Sequence, residues 1–195
     1  MATRKNYCPN PSCKVDTTGW SGGGSSPAFS RATNISGQPR STGILWTGNG
    51  FSQTPAGVCA AGDIFTVSFY LTNRTTFSVN SKIAYISYTR SSGGDTFPQT
   101  MSIPNTADGA TSRASFTTSA APSLATGIYL IIDAINGTGG SGIWIGSVLF
   151  EKVGSLGAYF DGDSANAVWD GTDGKSTSTY TDPPTVKPGA FLPFL

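Results

Sequence analysis

The chain has 195 residues, enough for one domain with a core of its own. Charged residues make up 12% and the formal net charge is +1, which excludes the basic footprint of a nucleic-acid binder and any long charged tail. No apolar run is long enough to span a membrane as a helix, and Met-Ala-Thr-Arg-Lys-Asn leads into no apolar signal region, so Sec-type export is not expected.

Gly, Ser and Thr dominate and Glu151 is the sole Glu, a composition of strands and turns rather than helices. In chain order, Asn6 to Trp20 contains Pro9 and Pro11, which forbid a helix and confine any strand to an edge. Ser21 to Ser26 reads as a Gly/Ser loop, and Phe29 to Thr33 and Gly43 to Trp46 as short strands. Asp63 to Asn73 is the clearest strand: Phe65, Val67, Phe69 and Leu71 alternate with Thr66, Ser68 and Tyr70. Lys82 to Thr89 alternates less cleanly and puts Tyr85 and Tyr88 on opposite faces. Gly93-Gly94-Asp95 marks a turn, and Ser112 to Thr118 is a strand carrying Phe116. Gly127 to Ala134 is a continuous apolar run, which predicts a strand covered on both faces. Gly137 to Gly142 is a turn and Ile143 to Val153 the last strong strand.

Short strands at this spacing predict an all-β fold over 1–153, two antiparallel sheets packed as a β-sandwich. Phe65, Val67, Phe69, Phe116, Ile132 and Val148 are its expected core. Residues 154–195 read differently, as an irregular, Pro-rich C-terminal extension ending in Phe191-Leu192-Pro193-Phe194-Leu195. An apolar terminus is expected either to pack back on the sandwich or to dock on a partner through Phe191, Leu192, Phe194 and Leu195.

The chain has no His, so neither a Ser-His-Asp nor a Cys-His arrangement exists, and a Cys/His zinc site is excluded. Glycan hydrolysis needs two carboxylates; Asp133, alone in an apolar strand, reads as a hydrogen-bonded structural group. An enzyme is therefore not expected. Cys8, Cys13 and Cys59 are an odd number and read as reduced thiols, with a Cys8–Cys13 bridge as the alternative.

Sugar binding needs flat aromatic faces with amides or hydroxyls at the rim. Trp46 beside Asn49, Tyr85 and Tyr88 near Arg90, and Trp144 after a glycine-rich turn are the candidates, with core packing the competing reading for each. Trp46 and Tyr88 are the two expected to be exposed. Asp161 and Asp163, with Asp170 and Asp173 beyond, have a faint likeness to a calcium loop, but Thr172 stands where the bidentate Glu belongs. Turn capping is the better reading of these Asp residues, and no other cofactor is expected.

Asn10-Pro11-Ser12 followed by Gly19-Trp20, Gly62-Asp63 leading into Thr66 to Tyr70, the pair Ser112–Thr118 and Ile128–Leu130, and Ile145 to Glu151 together resemble the strands of carbohydrate-binding-module-like jelly rolls. Tyr159-Phe160-Asp161-Gly162-Asp163, Val168-Trp169-Asp170-Gly171-Thr172 and Ser176 to Thr179 resemble a segment of minor tail and related virion proteins of phages of actinobacteria. The resemblance implies a non-enzymatic protein on the virion surface, a minor tail or capsid decoration protein assembled in the host cytoplasm. Its partners would be other virion subunits, itself in an oligomer, and a host cell-surface polysaccharide, with no nucleic acid or membrane. The alternative is a purely structural decoration protein without a ligand. The family's calcium-holding Asp is replaced here, where Gly146 and Ser147 stand. The C-terminus from Thr181, or the arm Met1 to Pro11, would fasten the protein to its partner.

Overall fold

The computed structural model describes residues 2–22, 29–46, 51–73, 82–94, 96–103, 107, 109–134 and 143–183. Among these the regular elements are all strands: β1 (Thr3–Asn6), β2 (Ser21–Gly22), β3 (Phe29–Ala32), β4 (Gly43–Trp46), β5 (Phe51–Val58), β6 (Thr66–Asn73), β7 (Lys82–Arg90), β8 (Thr96–Ser102), β9 (Thr111–Thr117), β10 (Ala125–Ala134), β11 (Ile143–Glu151), β12 (Ala167–Trp169) and β13 (Ser178–Thr181). They form two five-stranded antiparallel sheets, ordered β2-β5-β10-β7-β8 and β3-β4-β11-β6-β9, and a three-stranded sheet, β1-β13-β12.

Alternation builds the sandwich. Val67, Phe69 and Leu71 of β6 share a face with Ile143, Ile145 and Phe150 of β11, and they meet Ala84, Ile86, Ile128, Leu130 and Ile132 from the other sheet in one core. Each such side chain contributes about 1.5–3 kcal/mol by leaving water. Phe65, Val67, Phe69, Ile132 and Val148 are buried in this core, and Phe116 packs against it half-buried.

Two prolines sit inside strands, and the topology explains both. Pro98 lies on β8, an edge strand. Pro55 lies on β5, where the two-residue β2 pairs only with Ser52 and Gln53, so the Pro55 side of the strand is an edge as well. The Asn10 to Trp20 stretch that resembles a first jelly-roll strand is instead a loop. Asn10 takes a left-handed φ of 51° and Gly19 one of 87°. The Asn10 side-chain amide donates to the carbonyls of Asp16 and Thr18, and its backbone carbonyl accepts from the indole of Trp20, which closes the loop.

The segment 154–183 is not irregular throughout. Its strands β12 and β13 pair with each other, and β13 pairs with the N-terminal β1 from Thr3–Thr181 to Asn6–Ser178. This clasp lies on the outer face of the β3-β4-β11-β6-β9 sheet. The buried Asn6 amide donates to the carbonyls of Val148 and Phe160 while its oxygen accepts from the Cys8 and Phe150 amides. Arg4 makes a two-bonded pair with buried Glu151, at 2.8 and 2.6 Å, and lies over the Phe160 ring. The N-terminal arm is thus used within the chain's own fold rather than held out as a fastener. Residues 184–195, with Phe191, Leu192, Phe194 and Leu195, lie outside the described residues.

Cys8, Cys13 and Cys59 are three buried thiols. Burial, and the neighbouring Cys8, push the Cys13 thiol well above its ordinary value; burial, then Asp63, pushes Cys59 up to about 11.

Candidate functional site

The two outer faces of the sandwich have different fates. That of β3-β4-β11-β6-β9 is covered. Thr66, Ser68 and Thr72 of β6 alternate outward yet are buried, and each hydroxyl is paired. Thr66 bonds Thr117 and the Val153 carbonyl, Ser68 accepts from Arg113, and Thr72 bonds Thr111 and accepts from Gln38. The loop 36–42 and the clasp supply the cover. Asp161, 0% exposed, is held by the Arg40 guanidinium, by the Tyr159 and Ser164 hydroxyls and by the Asp163 amide.

Among the described residues the outer face of β2-β5-β10-β7-β8 is more open: Tyr85, Tyr129 and Thr100 keep surface in water there, although Ser87 and Ile131 are buried. Cross-strand register places Tyr85 opposite Ile131 on one side and Thr100 on the other, and carries the row through Gln53 to Ser21. Such a row crosses five strands, about 19 Å at a strand spacing of about 4.8 Å. The next row toward the 125 end of β10 holds Tyr129 opposite Ser87 and Pro55, and beyond it Gly127 lies opposite Thr89. Tyr85 and Tyr129 are half-buried and Thr100 is exposed, while Ile131, 8% exposed, and Ser87 form the floor between them. Gly127 keeps that floor low: a Cβ there would stand 2.5 Å from the Thr89 hydroxyl. In the row on the far side, Asp133 takes the register position opposite Ile83 and Phe51. The described side chains of this face carry no charge. Phenol rings, hydroxyls and an aliphatic floor can stack on the C–H side of a sugar and bond its hydroxyls.

The sequence candidates are not brought together. Tyr85 lies in the open row. Trp46 and Tyr88 are corrections: they are 3% and 1% exposed, inside the core. Their neighbours explain it, since Trp46 shares the inward register with Phe29 and Ile143, and Tyr88 with Ile128. Burial raises the Tyr88 phenol's pKa accordingly. Trp144, half-buried, belongs to the opposite sheet's outer face, between Leu45 and Thr72. Arg90 ends β7 and donates to the Ser123 carbonyl at 3.3 Å, so it holds a turn rather than flanking the tyrosines. Asn49 lies outside the described residues. Tyr129 was missed because its strand reads as a continuous apolar run. The alternation Ile128, Leu130, Ile132 against Tyr129, Ile131 was the signal available.

Asp161 and Asp163, the two calcium candidates, are each engaged by a cationic side chain. Asp161 is neutralised by Arg40, and Asp163 by Lys14 at 2.8 Å. The hydrogen bonds that Arg40 donates to Asp161 hold the guanidinium's pKa up against desolvation. Among the described residues no three His, Cys, Asp or Glu side chains group together as metal ligands. At Gly146 an added Cβ would meet the Gln38 side-chain oxygen at 2.6 Å and the Thr42 carbonyl at 2.8 Å, so the 36–42 loop packs directly on the bare backbone there.

No family model and no curated protein matches the chain. Solved structures do match. The enzymatically active domain of tailspike protein 4 of bacteriophage CBA120 superposes at a TM-score of 0.60 and 16% identity, over 76% of this chain and 21% of that one. The CBM22-1 and GH10 modules of Clostridium thermocellum endo-1,4-beta-D-xylanase 10B, complexed with xylohexaose, superpose at 0.61 and 14%, over 83% of this chain and 30% of that one. The isolated CBM22-1 xylan-binding domain of Paenibacillus barcinonensis Xyn10C superposes at 0.55 and 10%, over 80% of this chain and 95% of that one. The chain thus spans about a fifth and under a third of the two larger structures, and nearly the whole of the isolated module. At these identities the likeness establishes the fold: an all-β, antiparallel jelly roll of the carbohydrate-binding-module kind.

Proposed function

We propose that this protein is a non-catalytic carbohydrate-binding protein of a bacteriophage particle. It would hold a neutral polysaccharide of the host cell surface on the outer face of the β2-β5-β10-β7-β8 sheet. The observation that carries the reading is the uncharged row through Thr100, Tyr85 and Ile131, with Tyr129 and Ser87 beside it. Tyr85 and Tyr129 would stack on sugar rings, and Thr100 and the phenol hydroxyls would bond the sugar's edge. A row spanning five strands suits an oligosaccharide segment better than a single sugar.

A non-catalytic role is supported by the state of the acids. Asp16, Asp63, Asp163 and Asp170 each pair with a Lys and carry lowered pKa values, which leaves these four poor proton donors at neutral pH, and Asp161 and Glu151 are each tied to an arginine. The virion placement is supported by the resemblance of residues 159–179 to phage tail segments and by the likeness to a phage tailspike domain. Both chain ends support a two-sided arrangement. The Asp182 amide donates to the Ala2 carbonyl on the clasp, and the clasp covers the sheet opposite the tyrosines. Phe191, Leu192, Phe194 and Leu195 would fasten the protein to another virion subunit. Many copies on one particle would make weak single-site binding effective.

The test is calorimetric titration with xylohexaose, cellohexaose, mannohexaose and chitohexaose. Wild type should bind at least one of them saturably. Replacing both tyrosines, Tyr85→Ala with Tyr129→Ala, should weaken the tightest binding by about 2 kcal/mol, some thirtyfold. A purely structural decoration protein would bind none of the four.

A further inference from the structure

Trp169 differs from the tryptophans of the core. Trp20 and Trp46 are 7% and 3% exposed, whereas Trp169 stands half in water at the end of the edge strand β12. Its ring is nevertheless fixed. An added Cβ at Gly162 would fall 2.2 to 2.4 Å from three indole carbons, so the ring rests directly on bare backbone. The indole nitrogen donates to Asp163 Oδ1 at 3.1 Å. Lys14 Nζ donates to the same carboxylate, 2.9 Å from Oδ1 and 2.8 Å from Oδ2. Desolvation works against the Asp163 anion, but the bonds from Lys14 and Trp169 hold its pKa below the ordinary value, so it stays ionised. Both members of the pair are solvent-accessible, at 44% for Lys14 and 32% for Asp163.

We infer that Trp169, with Asp163 and Lys14 beside it, forms a saccharide-binding subsite on the clasp that takes one neutral pyranose residue. The indole receives the sugar's apolar C–H face. Asp163 accepts a bond from one hydroxyl and Lys14 donates to its neighbour, a rim of acceptor and donor matched to vicinal hydroxyls. The inference stands on these contacts and not on the tyrosine face. The clasp and the tyrosines lie on opposite sides of the sandwich, so the two sites hold two different polysaccharide chains and the protein bridges them.

The same hexasaccharides test this in the Tyr85→Ala/Tyr129→Ala background, where the tyrosine face is disabled. That variant should keep saturable binding at one site per chain. Adding Trp169→Ala should weaken it at least about tenfold, Trp169→Phe much less, and Lys14→Met about threefold. Should Trp169→Ala fail to fold, Asp163→Asn and Lys14→Met decide the matter. If wild type binds but the double-tyrosine variant does not, this subsite is refuted while the tyrosine face stands. Residual binding that ignores Trp169, Asp163 and Lys14 refutes it equally. If no hexasaccharide binds wild type, both sites fall.

Discussion

The two outer faces of this sandwich are made of the same kind of strand and reach opposite ends. On β6 the outward residues Thr66, Ser68 and Thr72 are as buried as the core beneath them, because the loop 36–42 and the clasp lie on top and pair their hydroxyls. On β7 and β10 the outward residues Tyr85 and Tyr129 keep part of their surface in water. What lies over a strand, rather than its own alternation, decides whether its polar side is structural or available to a ligand. The covered face is sealed by charge. Asp161 and Glu151 sit at the bottom of the cover, each gripped by an arginine that reaches in from the surface.

Breaking that seal should give the largest effect. Arg40→Ala leaves Asp161 buried without its guanidinium and should cost about 3 kcal/mol in a urea titration, with much of it recovered by adding Asp161→Asn. An unchanged midpoint would mean that the clasp does not seal the face. A finer comparison sets one threonine against another. Thr72→Ala, on the covered face, removes partners of Gln38 and Thr111 and should cost about 1 kcal/mol. Thr100→Ala, on the open face, should stay within about 0.5 kcal/mol. Equal costs would erase the distinction between the faces.

The smallest effect is confined to alkaline pH. Burial, then Asp63, pushes the Cys59 thiol up to about 11 in the folded chain, against an ordinary 9.0. Between those values the unfolded chain releases a proton that the folded chain keeps. The thiol's contribution is therefore complete below pH 9 and falls away as pH rises through 11. Melting curves of wild type and Cys59→Ala should converge over that window; a wild type that gains on the variant as pH rises would reverse the sign.

The sequence reading found the sandwich because Phe65, Val67, Phe69 and Leu71 alternate without interruption, and burial on one side enforces that pattern. It missed β5 and β8, where Pro55, Gly57 and Pro98 argue against a strand unless the edges are already known. It missed β1, β12 and β13 because a three-stranded clasp that buries Asn6 and Ser178 and anchors itself through Arg4 needs no apolar stripe. It placed Trp46 and Tyr88 outside from their polar neighbours in sequence, where period-two counting from Ile44 and Ile86 would have placed them inside. The open row itself was only partly legible. Tyr85 could be picked from its own strand, but its company of Ile131, Ser87 and Thr100 is created by pairing between strands far apart in sequence.

The most direct measurement is an amide chemical-shift titration of the 15N-labelled protein with the hexasaccharide that binds tightest. Shifts that saturate together at Tyr85, Ser87, Thr100, Tyr129 and Ile131 are predicted, with Thr66, Ser68 and Thr72 unmoved. Saturable binding that leaves those five amides still would contradict the assignment of the open face.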